Sequence, residues 1–489
     1  MNYLTAADWL VIVLYLAGII LFGLWCGQEQ KTTKDYFLGG KNIPWWGVGL
    51  SIVATETSAL TFIGVPALAY GDDNLTFIQI IIGYVIARVI LAVVMVPHYF
   101  KGEIYSPYQL LTRAFGPAAG RTAGGFFLIS GTLAAGVRVY VTCIPLQLMT
   151  GLEVLPAIIL FVVLSLVYTY VGGIKAVIWT DAVQFILFLL GGVYALFYIP
   201  GVLPGGISGA FTKAAVAGKL AWLNPQFSLA MPFNLWMGLL GATVQVMFSH
   251  GADQLVVQRV LTCQSIRDGR KSLILSAVII FPLFLIFLLT GTMLWVYYQQ
   301  MPMAIPIPQT TAGIKQYDYI FPIFILTVMP HVMKGFLIVA ILSAAMSSVS
   351  SALSALASVS TMDFFKGLVS SKDNEAFFFR LSKYSTLFWA AVLILVAYLS
   401  QQAASVLKLA FSLSGLTSGA MLGGLLLAMF GKPGRVLPVI VGMVSSLFVL
   451  AGVNFYFSKQ IAWPWYTLIG TAVTLAVARA MGGMKSKST

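Results

Sequence analysis

The hydroxyls of one apolar segment, GFLIVAILSAAMSSVSSALSALASVSTMDFF, define the first candidate chemistry. At about 100° per residue, Ser343, Ser347, Ser350, Ser351, Ser354 and Ser358 fall in one helical sector about 100° wide, with Ser348 on its flank. A hard cation takes several oxygen ligands, and such a stripe would supply them. Small residues also let helices pack closely, so close packing is the competing reading. Asp181, in IKAVIWTDAVQF, follows an apolar run. A carboxylate below the headgroups wants a cation or a proton, whereas one at a helix start only complements the helix dipole. The stretch Ala54-Thr55-Glu56-Thr57-Ser58-Ala59-Leu60-Thr61 is too polar for a lipid-facing helix, and Gly64 and Pro66 follow it. A helix broken there frees backbone carbonyls that can bind cations; a continuous helix would instead bond its hydroxyls back to its own carbonyls.

Glu56, Arg88 and Arg138 lie in consecutive apolar segments. They read either as an internal salt bridge or as a polar pocket in which an arginine takes a substrate carboxylate bidentately and Glu56 takes hydroxyls or an amine. Gln79 and Phe77, near the start of the third segment, are expected to line the same cavity. Asp253 and Arg259 are expected to form an ordinary pair near a membrane face. No GxxxxGK[ST], HExxH or GxSxG occurs, and His98, His250 and His331 are scattered. An ATP-driven motor and a catalytic constellation are therefore not expected. Cys26, Cys143 and Cys263 are far apart and suggest neither a metal site nor a disulfide framework.

These residues must be positioned by helices in a bilayer. The 489 residues are 59% apolar and only 9% charged, with mean hydropathy +0.93, against roughly 25% charged in soluble domains. The apolar runs are continuous, which excludes the short alternating strands of a membrane barrel. Thirteen spans are predicted, near residues 8–26, 45–70, 75–99, 122–149, 154–172, 176–200, 234–258, 272–298, 333–361, 383–401, 404–430, 436–457 and 462–481. Segments 201–232 and 299–332 read as loops, with a short helix near 320–329, and KSKST reads as a polar tail. The first run lacks a basic region before it and is expected to be a retained helix. Of the 28 Lys and Arg, twenty fall on one side, among them Arg259, and six on the other, with Arg88 and Arg138 inside spans. The basic side is the cytoplasmic one, which places the N-terminus outside and the C-terminus inside a plasma (inner) membrane. The net charge of +13 therefore reflects orientation and not a nucleic-acid partner.

The chain resembles the sodium:solute symporter family, which includes bacterial sialic acid, proline, pantothenate and galactose carriers and the animal sodium–glucose cotransporters. The resemblance rests on Asp35-Tyr36-Phe37-Leu38-Gly39-Gly40-Lys41, on Phe62-Ile63-Gly64-Val65-Pro66 with Tyr70, and on Tyr170-Val171-Gly172-Gly173-Ile174 followed by Trp179-Thr180-Asp181. Asp253 through Arg259, Ser347-Ser348 with Thr361-Met362-Asp363, and Gly415 through Gly424 complete it. It implies an all-α, polytopic, leucine-transporter-like fold with an inverted repeat of two five-helix units. Residues 45–200 would form the first and 201–430 the second, with an extra helix in 1–44 and two in 431–489. It implies Na+ as coupling ion and no organic cofactor. A shared sodium site would use the carbonyls of Ala54, Thr57 and Ala344 and the hydroxyls of Ser347 and Ser348. A second site, as in some sialic acid carriers, would use Asp181, Ser347, Ser350 and Ser351.

By the same resemblance, Ser58, Thr61 and Arg138 stand where sialic acid carriers hold their substrate. Glu56 departs from that pattern, since a small polar residue is expected there. The expected activity is sodium-coupled import of a small polar solute: a sugar, a polyol, an amino-acid-like molecule or a carboxylate-bearing one. Partners would be that solute, sodium ions and lipid, with the monomer as the unit. The rival activities are proton-coupled import through Asp181 or Glu56, and a membrane sensor without transport.

Overall fold

The computed structural model describes residues 3–28, 30–309, 315–366, 374–402 and 404–482, except for the side chains of 60, 141, 144–146, 148–150 and 401–414. The tail KSKST and Lys372 lie outside the described residues. Those residues form helices joined by short connections, with one isolated antiparallel bridge between Gln309 and Lys315.

Among the described residues, eight helices are long and apolar enough to cross a membrane singly, and a ninth such unit is the bent pair formed by Trp45–Glu56 and its partner helix. Val154–Gly201 is one of the eight, yet its 48 residues would reach about 72 Å at 1.5 Å each, against a hydrocarbon core of about 30 Å. Gly173 divides it, with φ 51° and ψ −150°, into the two expected spans. Val436–Tyr456, Trp465–Ala480 and Ala404–Phe430 match the remaining late expectations. Besides the six-residue Thr33–Leu38, two helices occur where the sequence reading left none: Gly206–Val216, inside the expected loop 201–232, and Tyr108–Phe115. The first is short and Ala/Gly-rich, and the second is amphipathic, so neither carries a membrane-length apolar signal. The short helix expected near 320–329 is Ile320–Thr327.

Two spans are broken. Trp45–Glu56 and Ala59–Tyr70 are separated by Thr57, whose backbone is extended (φ −83°, ψ 105°). Of the two readings open for the polar run around Glu56, the broken helix is the one that forms. The span expected to run continuously over 234–258 is also interrupted: Thr243–Gly251 ends at Ala252, and Gln254–Leu261 begins after Asp253. Asp253 caps that second half, its carboxylate accepting from the Leu255 N–H at 2.9 Å. A capping carboxylate satisfies a helix's free N–H groups, so Asp253 stabilises a break here and is not the expected partner of Arg259.

Met333–Val359 carries the serine stripe and is buried along almost its whole length. Its N-terminus is fixed by Asp8 of the first span, which accepts from Val332 N–H at 2.8 Å and Gly335 N–H at 3.2 Å. This clamp holds Val332 at φ 71°, a backbone region that costs a β-branched residue free energy. The helix packs against Val154–Gly201, Trp45–Glu56 and Ala59–Tyr70. It thereby brings the stripe to the first break and to Asp181.

Gly173 sets that approach, because it kinks the chain eight residues before Asp181. A Cβ there would strike the Tyr36 carbonyl oxygen and lie 2.9 Å from the Tyr36 ring. Tyr36, in the short helix Thr33–Leu38, in turn donates to the Thr169 carbonyl at 3.3 Å. Gly173→Ala is expected to lose at least the about 1–3 kcal/mol typical of a strained backbone position. Its melting temperature in detergent should fall clearly below wild type, while Gly125→Ala, where nothing lies within 4 Å, should hold or raise it. Equal melting temperatures for Gly173→Ala and wild type would contradict this role.

Candidate functional site

Asp181 is not a helix cap. It is fully buried inside the second half of Val154–Gly201. Its Oδ1 accepts from Ser347 Oγ at 2.6 Å and its Oδ2 from Ser51 Oγ at 2.6 Å. Oδ2 also accepts from Arg259 Nη2 at 2.9 Å, and both partners of that ion pair are 0% exposed. Arg259 thus does not lie in an inner loop, where its charge would be expected. The pair is completed by hydrogen bonds: Nε donates to Ser51 Oγ at 2.8 Å, Nη1 to the Leu255 carbonyl, and Nη2 also to Ser351 Oγ. A buried ion pair persists only when such bonds satisfy its remaining groups.

The serine stripe is divided among partners. Ser343 donates to Tyr15 Oη at 2.6 Å, and Ser350 and Ser351 donate to the Ser347 carbonyl at 3.1 and 2.6 Å. Gln258 donates to Ser354 at 3.1 Å, and Gln254 to Ser358 at 3.2 Å. Residues four apart on Gln254–Leu261 therefore meet residues four apart on Met333–Val359, as two helix faces in contact require. Ser348 donates to the Ala344 carbonyl at 3.2 Å. At the first break, Thr57 Oγ1 donates to the Val53 carbonyl at 2.7 Å. The Ser58 N–H turns to Thr61 Oγ1 at 3.3 Å and not back along the helix to the Ala54 carbonyl. Ala54, Thr57 and Ala344 are all buried. The groups expected at the shared site thus lie on two elements in contact, with Ser347 and Ser348 bonded within the protein.

A second charged cluster adjoins the break. Arg88 Nη2 pairs with Glu56 Oε2, its Nε donates to Ser276 Oγ at 3.1 Å, its Nη1 donates to the Tyr84 carbonyl at 3.1 Å, and Nη2 lies 3.0 Å from His250 Nε2. Arg88 is fully buried and Glu56 is 13% exposed. The open choice between Arg88 and Arg138 as the partner of Glu56 therefore falls to Arg88. Arg138 faces a cavity with Thr142 and Ser348 whose volume is ≈ 10 Å³, room for about one water molecule. No carboxylate within salt-bridge distance of its guanidinium is found among the described residues.

Gln79 and Phe77 have their partners outside this charged cluster. Gln79 is fully buried; it accepts from the Asn224 N–H at 3.0 Å and donates to the Phe233 carbonyl at 3.4 Å. Its amide fastens the 201–232 connection to the start of Ile78–Ile90. Phe77 stacks on Phe284 at 5.6 Å and meets Phe233 at 5.4 Å. Both sit at the start of Ile78–Ile90, displaced by turns of helix from Arg88. Ser51, Arg259, Gln254 and Gln258 are the participants that sequence reasoning missed. Their signal was available in the four-residue spacing of Ser51 with Thr55 and of Gln254 with Gln258.

A polytopic helical protein with broken spans around buried polar groups is a secondary transporter in architecture. Residues 36–436 match the sodium:solute symporter family. The chain is 34% identical over 488 residues to the sodium/sialic acid symporter SiaT of Proteus mirabilis, covering 95% of this chain and 94% of that one. It superposes on a Na+-coupled sialic acid symporter, solved substrate-bound and outward-open with a novel Na+ site, at TM-score 0.88 and 29% identity over 98% of each chain. Mhp1, a nucleobase-cation-symport-1 family transporter in a closed conformation, shares the fold at TM-score 0.58 and 15% identity, covering 93% of this chain and 95% of its own. The chain belongs to the sodium:solute symporter family. It is an integral membrane transporter coupled to Na+, and not an enzyme.

The ion pair of Glu56 and Arg88 generates a prediction. Removing one partner of a buried pair costs about 3–5 kcal/mol, because the other charge is left uncompensated. Arg88→Met should therefore be strongly destabilised, and Glu56→Gln combined with Arg88→Met should recover much of the loss. A double-mutant cycle by thermal unfolding would read this, and additive effects would contradict the coupling.

Proposed function

We propose that the chain imports a small polar organic acid with two sodium ions per cycle, with acidic sugars of the sialic acid class as the first substrates to test. The observation that carries this is Asp181, a fully buried carboxylate bonded to hydroxyls from two other helices beside a broken span. The sodium/sialic acid specificity of the Proteus mirabilis relative supports the substrate class.

The shared sodium ion is held by the carbonyls of Ala54, Thr57 and Ala344 and the hydroxyls of Ser347 and Ser348. The second is held by Asp181, Ser347, Ser350 and Ser351. Both sets join the first broken span or Asp181 to Met333–Val359, so an ion there ties together helices that belong to different repeats, 45–200 and 201–430. Solute and sodium then share one reciprocal coupling energy, typically about 1–3 kcal/mol. The membrane potential adds about 2.3 kcal/mol per net charge per 100 mV. The N-terminus lies outside, and the basic loops face the cytoplasm.

Arg138 takes the solute carboxylate, and Ser58 and Thr61 bind its hydroxyls. Glu56 does not repel an acid, because Arg88 neutralises it. The same pairing, with that of Asp181 to Arg259, disfavours the proton-coupled reading, since neither carboxylate is without a cation.

Thermal unfolding of the purified protein with acids, sugars, polyols and amino acids, in sodium and again in choline, tests the proposal. A ligand at 100 times its Kd stabilises the folded state by about 2.7 kcal/mol. A sialic acid should raise the melting temperature in sodium and not in choline; sodium-independent shifts would favour proton coupling. Arg138→Ala should abolish uptake of the acid and spare sodium binding. Asp181→Ala and Ser350→Ala should lower the sodium count, and an unaltered count and affinity would remove the second site.

A further inference from the structure

Asp181 and Ser351 are held in this structure by a cation that belongs to the chain itself. Arg259 Nη2 reaches both, at 2.9 Å for Asp181, and Nε reaches Ser51 at 2.8 Å. Asp181 and Ser351 are two of the four residues proposed above to hold the second sodium ion, so the guanidinium occupies part of that site. A carboxylate carrying both cations would leave one positive charge uncompensated in a dry interior, which is strongly unfavourable. Guanidinium and sodium therefore exclude each other.

Arg259 enters the site from a separate helical arm. It stands on the eight-residue arm Gln254–Leu261, set off from Thr243–Gly251 by the break at Ala252 and Asp253. The remaining side-chain ties of this arm to Met333–Val359 are the neutral bonds of Gln254 and Gln258 to Ser358 and Ser354. The carbonyl oxygens of both glutamines are buried without a partner among the described residues. A buried acceptor left unpaired is unfavourable, so the contact is satisfied on its donor side alone. Val256, Val257, Val260 and Leu261 seat the arm in the apolar core, and the charged bonds of Arg259 are its strongest polar ties to Met333–Val359 and Asp181.

We propose that Arg259 is a tethered competitor for sodium: seating of the inner arm displaces the ion from Asp181, and an ion at Asp181 unseats the arm. The two events are opposed by one coupling energy, and the effect is reciprocal. Since the arm leads to the basic, cytoplasmic loops, its return accompanies sodium release inward. The proposal rests on the two-sodium reading above.

Equilibrium binding of radioactive sodium to the purified full chain, with thermal unfolding in sodium and choline, tests it. Arg259→Gln removes the competing charge. Its Asp181 ion should bind roughly tenfold tighter or more, within the usual range of coupled sites, and sodium should stabilise it more than wild type. Arg259→Lys keeps a charge with fewer donors and should show a smaller gain. Asp181→Asn in the Arg259→Gln background should lose the added affinity. If Arg259→Gln binds sodium no tighter than wild type while Asp181→Asn still removes one ion, the competitor falls and the two-sodium reading stands. If Asp181→Asn removes no ion and Arg259→Gln changes nothing, the two-sodium reading fails and the proposal with it. Should Arg259→Gln not fold, Arg259→Lys decides: several-fold tighter binding supports the competitor, and wild-type affinity overturns it.

Discussion

A carboxylate sealed inside a membrane protein needs a positive partner, because the bilayer and the packed helices around it offer no solvation. Asp181 is such a group, and much of the central architecture answers its demand. The kink at Gly173 starts the helical half that carries it, fully buried. Ser51 and Ser347 approach it from two further helices, and Arg259 arrives on the arm of a broken span. Four chain segments far apart in sequence thus converge on one charge. An interaction of this kind is weak evidence for stability and better suited to specifying which arrangement forms. In a transporter, the useful property is that the positive partner is exchangeable.

The two breaks give that exchange its moving parts. At the first, Thr57 leaves the helix and frees the approach to the Ala54 carbonyl. At the second, Asp253 caps a short helix that then packs by itself against the serine stripe. Broken helices at membrane depth survive only where protein or a cavity satisfies the freed groups, and here side-chain oxygens do so. The other described spans provide the frame against which the arms sit.

The spans and the first break were legible in the sequence because long apolar runs and a polar interruption are strong local signals. The second break was not, since Asp253 reads equally well as an interfacial acid until the chain around it is known to turn. Arg259 was misplaced for a related reason. Counting basic residues by side assigns it to a loop, and only its partners show that it is buried. Ser347, Ser350 and Ser351 were recognisable by their shared face, whereas the bond from the Asn224 N–H to the Gln79 amide was not, because it joins positions far apart in sequence. What remained hidden was long-range pairing: no local pattern says that Glu56 meets Arg88 or that Asp181 meets Arg259.

The central claim, that cations at Asp181 and at the first break are carried along with the solute, is tested most directly by the charge moved per solute. Reversal potentials of the wild-type protein in sealed proteoliposomes, set by opposed sodium and solute gradients, give that number. Two sodium ions with a monovalent acid should carry one net positive charge inward per turnover, and the potential should follow the sodium gradient with a twofold weight. Electroneutral transport, or a potential that follows the proton gradient and ignores sodium, would contradict the account.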